Sequence, residues 1–174
     1  MGSIGTILAQ TGNMTVLSAE RLLNGITPQT AARFARPGGV EVRSNHPAFI
    51  VGHLSLYPAK VFAALGRGSA DAAPPAKYEE LFKNGVECRD DPNGTIYPPL
   101  SELREFFMRS FRAALSAIAE ADDARLAGPN PAEGRMKELF PTLGSMLNFY
   151  LSGHAHAHLG QLSAWRRAQG LPPA

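Results

Sequence analysis

Between residues 147 and 165 the chain repeats a step of three or four: Leu147, Leu151, His154, His158, Leu162 and Trp165. That period belongs to a helix, and it decides how the histidine run inside it is read. His154, His156 and His158 stand at every second position, a spacing that on a strand would point all three rings one way. Ala155 and Ala157 between them favour helix. On a helix, residues four apart lie within about 40° of each other, and residues two apart are separated by about 200°. His154 and His158 therefore face the same way, and His156 is expected in solvent or at a subunit contact.

The same period runs through most of the chain, and alternating strand-like runs are almost absent. A first helix is predicted from Ser3 to Asn24, with Ile4, Leu8, Leu17, Leu22 and Leu23 as its apolar positions and Asn24-Gly25 as its stop. Thr27-Pro28, a capping hydroxyl followed by proline, predicts a short helix ending at Arg36-Pro37-Gly38-Gly39. Asn45-His46-Pro47 opens a second long helix that runs to Gly66, kinked at Pro58 because the Leu54 carbonyl loses its partner. Phe49, Ile50, His53, Leu54, Tyr57 and Val61 share its inward face.

Residues 67–99 are loop-like apart from a short helix at Tyr78–Lys83, and so long a connection often covers a site. A third helix starts near Ser101 and carries Leu103, Phe106, Phe107, Phe111, Leu115 and Ile118 inward. After a short turn at "RMKELF", Thr142 caps a fourth helix. Arg166, Arg167, Gly170 and Pro172 close it in the usual cation, glycine, proline order. The fold class is all-α, with a four-helix bundle as the expected architecture of a single domain over residues 1–174. The long connection between helices two and three is ample to cross the bundle, which would let those helices run parallel.

Charge narrows the partners. Seventeen basic against fifteen acidic residues leave a formal charge of +2, and the cations are scattered, so nothing marks a nucleic-acid surface. No apolar run is long enough for a bilayer and no signal-peptide pattern opens the chain. One cysteine, Cys88, rules out an internal disulfide. Together these predict a cytoplasmic protein. Cys88 itself lies beside Arg89, Asp90 and Asp91, where acidic neighbours disfavour a thiolate.

Two imidazoles four apart on one helix can hold one metal ion, and an open site in a bundle core generally needs a third ligand from a facing helix. His53, alone among apolar neighbours, is the candidate. A single inward histidine is as a rule a hydrogen-bonded core residue, so His53 by itself does not make a site. His46 reads first as a helix-start residue, with a place at the site mouth as the lesser reading. Gln161, one turn beyond His158, either bonds a ligand or packs between helices. Tyr57 either lines the cavity or is a core aromatic whose hydroxyl reaches the surface.

These residues resemble the DinB-like family of four-helix proteins, the damage-inducible, YfiT-type superfamily. The resemblance lies in "NHPAFIVGHLSLYPAKV" at 45–61, "YPPLSELREFF" at 97–107 and "HAHAHLGQLSAWRRAQGL" at 154–171. It implies a metal held by His53, His154 and His158, with zinc, nickel or iron as the ion and waters completing the coordination. It also implies an up-down-down-up bundle and frequently a homodimer. Tryptophan often precedes the helix-two histidine in this group. Phe49 is the nearest equivalent here, which implies a changed pocket shape with the ligands intact.

Members of the family include S-transferases and isomerases that use low-molecular-weight thiols. The expected function is therefore a metal-dependent transferase acting on a small-molecule substrate with such a thiol. No motif places an acid or base beside the histidines, and metal-bound thiolate would not need one. A metal-dependent hydrolase is the second reading, although Ala155 stands where the H-E-x-x-H motif has its glutamate. The third is a stress-related protein that only binds a metal or ligand.

Overall fold

Helix α1 (Ser3–Leu23) stops where its sequence says it should: Asn24 leaves the helical conformation and Gly25 takes a φ of +76°. Its buried face is made of Gly5, Gly12, Thr15, Val16, Ala19 and Leu23. A Cβ at Gly5 would collide with the Ile118 carbonyl, so the small residues let α1 lie close against a partner helix. Leu17, expected in the core, is 44% exposed, and Ile7 and Met14 also face outward. Burial on α1 follows close approach rather than apolar size. At its start, Asp123 accepts from the Ser3 and Ile4 amides, both at 2.9 Å. At its end, buried Arg166 donates to the Leu22 and Asn24 carbonyls.

The computed structural model describes residues 2–174 and is all-helical. Ala35–Val42 and Pro129–Thr142 are isolated bridges, and among the described residues no strand forms. Thr27-Pro28 makes a single turn, with Ala31 N–H on the Thr27 carbonyl, instead of the short helix predicted there. The chain is drawn out of helix by outside partners: Phe34 N–H donates to Asp90 and the Arg33 carbonyl accepts from Trp165.

The second long helix is two pieces, α2 (Pro47–Leu54) and α3 (Tyr57–Ala64), divided at Ser55-Leu56 ahead of Pro58. His46 caps α2: its Nδ1 accepts from Phe49 N–H at 3.2 Å, and its Nε2–H donates to the Arg89 carbonyl at 3.0 Å. In the long connection, α4 (Ala76–Phe82) packs against α2. Gly52 makes room for it, since a Cβ there would enter the Phe82 ring. Helix α5 (Leu100–Ala119) packs against α1, α2 and α3 and buries all six inward positions predicted for it.

Two short helices, α6 (Asp123–Ala127) and α7 (Arg135–Leu139), follow. Thr142 then caps α8 (Leu143–Asn148) through a reciprocal bond pair with Ser145. A π-helical turn, Phe149–Gly153, joins α8 to α9 (His154–Ala168). Among the described residues, no helix is long and apolar enough to cross a membrane.

Candidate metal centre

Helices α2 and α9 lie side by side, and at that contact His53, His154 and His158 converge, with ligating nitrogens all within 4.8 Å of one another. His154 Nε2 sits 3.4 Å from His53 Nε2 and 3.1 Å from His158 Nε2. Around a tetrahedral zinc bound at its usual Zn–N length, nitrogens are separated by roughly 3.3 Å. The two His154 separations suit one ion of that size, and the remaining pair of nitrogens lies within 4.8 Å.

The protonation pattern points the same way. His53 Nδ1 lies 2.7 Å from the Phe82 carbonyl, which can only accept, so Nδ1 carries the proton and Nε2 offers its lone pair. His158 Nδ1 is 3.1 Å from Gln161 Oε1, an oxygen that also accepts from Asn45 Nδ2 at 3.0 Å. Its Nε2 is therefore a lone pair as well. Two lone pairs thus face a third imidazole nitrogen; a proton on His154 Nε2 can serve only one of them at a time, whereas a divalent cation would serve all three nitrogens at once.

An added proton is a poor substitute for that cation. Burial first, then neighbouring His158, His53 and Lys60, hold His154 down at about 3. Burial is also the main force lowering His53 and His158. The rings are thus neutral at pH 7, the form in which imidazole binds a metal. His154 differs from its neighbours in one respect: its Nδ1 is buried with no partner, so only packing against Tyr57 and Phe149 orients the ring.

The histidines open into a pocket of about 170 Å³ whose wall includes Asn45, Phe49, Lys83, Asn84 and Val86. That is room for a few heavy atoms. Among the described residues that line it, none is acidic. A larger hollow of about 340 Å³ between 28–32 and 91–100 holds no cluster of ligating side chains among the described residues.

Of the other residues singled out from sequence, Phe49 lies parallel to the His53 ring, 3° apart in plane, and lines the pocket. Gln161 orients His158 through its amide oxygen. Tyr57 is buried against His53 and His154, and burial pushes its hydroxyl up to about 12. His46 is fully buried away from the pocket as a helix cap, which leaves the site-mouth reading without support. His156 is exposed and turned towards α1. Burial raises the Cys88 thiol to about 11, so it stays protonated at neutral pH.

Sequence reasoning missed the Phe82 carbonyl, Asn45 and Lys83. A backbone acceptor has no residue code, and only Gly52, beside the Phe82 ring, hinted at what packs there. The family model for the DinB superfamily matches residues 16–162, a span that contains all three converging imidazoles. Comparison with curated proteins and with solved structures finds no match.

Proposed function

The chain belongs to the DinB superfamily, and on that premise we propose that it is a metal-dependent enzyme joining a small thiol to an electrophilic substrate. The observation that carries this reading is the meeting of His53, His154 and His158, with two of their tautomers fixed by outside bonds. An all-nitrogen donor set suits zinc, nickel or iron better than magnesium or calcium. A divalent ion held there acts as a Lewis acid and stabilises a thiol as its thiolate.

The chain's own residues supply the rest. Lys83 lines the pocket and Lys60 lies over the Tyr57 ring at 4.7 Å, so the field around the histidines attracts anions. Phe49 and Val86 line the pocket and give the thiol's carbon skeleton an apolar wall. Hydrolysis fits less well, because among the described residues no carboxylate lines the pocket to take a proton from water.

The finer architecture we infer is an up-down-down-up bundle of four rods: α1, α2 with α3, α5, and α8 with α9. Support comes from three end-to-end pairings: Ser3 with Asp123, Arg67 with Glu120, and Leu22 with Arg166. A homodimer through α1 would cover the outward Ile7, Met14 and Leu17.

Elemental analysis of untagged protein tests the centre. Wild type should carry about one metal per chain, and His53→Ala, His154→Ala and His158→Ala should each lose it. Turnover of thiol and electrophile pairs, abolished by a chelator and restored by metal, tests the reaction. Stoichiometric metal in all three alanine variants would overturn the site, and full activity in chelator would overturn the enzyme.

A further inference from the structure

The histidine pair stands one residue out of step with the core of its own helical rod. Before the π turn the core positions are Leu143, Met146 and Leu147, with Leu151 inside the turn; after it they are Ala155, Leu159 and Leu162. On an uninterrupted α-helix, Leu147 and Leu151 would be followed on the same face by 154 and 158, as the periodicity reads. The histidines would then fill the middle of the bundle. In the structure Ala155 and Leu159 take those places, and His154 and His158 are half-buried beside α2.

The intervening turn accounts for the shift. His154 N–H bonds the Phe149 carbonyl, five residues back instead of four. One extra residue in a turn rotates everything after it by about 100°. That rotation carries the two rings out of the apolar centre to the edge, where His53 and the pocket lie.

Two side chains hold carbonyls of this turn. Thr15, fully buried on α1, donates its hydroxyl to the Leu151 carbonyl at 2.7 Å. His156 Nδ1 lies 2.9 Å from the Ser152 carbonyl, which can only accept, so Nδ1 carries the proton; the Thr15 oxygen is 3.3 Å from the same nitrogen. The middle histidine of the run thus bonds the turn from the side opposite the site.

We propose that Thr15 and His156 are positioning residues: they pin the π turn and so set the helix rotation that brings His154 and His158 to His53. This rests on the metal reading above. The test is Co²⁺ binding by the full chain stripped of metal, read as affinity and as the visible absorption of the saturated protein. Thr15→Val and His156→Ala should each weaken binding about tenfold, the lower range for groups that orient ligands, and should alter the absorption bands. Thr15→Ser and His156→Asn keep a donor and should restore both.

Wild-type affinity and spectrum in Thr15→Val and His156→Ala would overturn the proposal. So would equal impairment of the conservative variants, which would assign the effect to packing. His156 is exposed, so its two variants remain informative should Thr15→Val fold poorly. Failure of the metal reading itself shows separately, as absence of Co²⁺ binding by wild type or unchanged binding by His53→Ala.

Discussion

The two sides of the histidine cluster are built to different standards. On α2, His53 is 6% exposed, its Nδ1 proton is committed to a backbone carbonyl, and Phe49 lies parallel to its ring. On α9, His158 leans on the amide of an exposed glutamine, and His154 has no partner for Nδ1. A backbone carbonyl in a packed helix end cannot rotate away, whereas a glutamine side chain can. One side of the cluster is a fixed socket and the other an adjustable clamp. Removing a ring from each side should therefore have different consequences.

The largest effect expected is on metal binding, where His53→Ala and His154→Ala should each lower affinity by about a hundredfold or more. Stability in chelator separates them. His53→Ala leaves the Phe82 carbonyl without its donor, which should cost about 1–3 kcal/mol in urea unfolding. His154→Ala removes a crowded nitrogen and an unsatisfied one, so its unfolding free energy should stay within about 1 kcal/mol of wild type. Equal losses in the two variants would erase the distinction between socket and clamp.

The socket has a second anchor in His46. Burial holds its folded pKa at about 4, against about 6.5 when unfolded. Between those values the unfolded chain binds more protons than the folded one, so stability falls as pH drops from 6.5 to 4 and is level above and below. The full span is worth about 3 kcal/mol. Unfolding free energies in chelator at pH 7 and pH 4.5 should diverge more for wild type than for His46→Asn, which keeps a cap acceptor without the titration. An identical pH dependence in the two would show that His46 is not held neutral.

That asymmetry also marks what could be read before the fold was seen. Helix ends were legible because their chemistry is local: Asn24-Gly25, His46-Pro47, Thr142 and the Arg166 to Gly170 stop all act within a turn. The three converging rings were legible because i, i+4 spacing survives any helix that contains it. The π turn was not, since one inserted residue leaves no trace in residue types, only in which positions are buried. Thr27-Pro28 misled because contacts from Asp90 and Trp165 draw the following segment out of helix. Leu17 misled because α1 turns its small face inward, and glycines carry no hydrophobic signal.

Gly52 sharpens the socket. Its Cα faces the Phe82 ring closely enough that a Cβ cannot fit without moving α4. Gly52→Ala should cost about 1–3 kcal/mol of stability as overpacking. By shifting the Phe82 carbonyl, it should also weaken metal binding with all three histidines present. Calorimetric metal titration beside a melting curve checks both. Loss of stability with unchanged affinity would separate α4 from the site.

The smallest effect belongs to the clamp. Gln161→Ala frees His158 Nδ1 and Asn45 from their shared oxygen, but all three side chains reach solvent, so water can replace each bond. Metal-free stability should change by less than about 0.5 kcal/mol. Affinity should still fall about tenfold, because the free His158 ring samples other orientations before binding. The loss should appear mainly as slower metal capture, measured by stopped-flow with a chromophoric chelator as competitor. A Gln161→Ala protein as slow to capture metal as His53→Ala would mean the glutamine is as firmly built as the carbonyl on the other side.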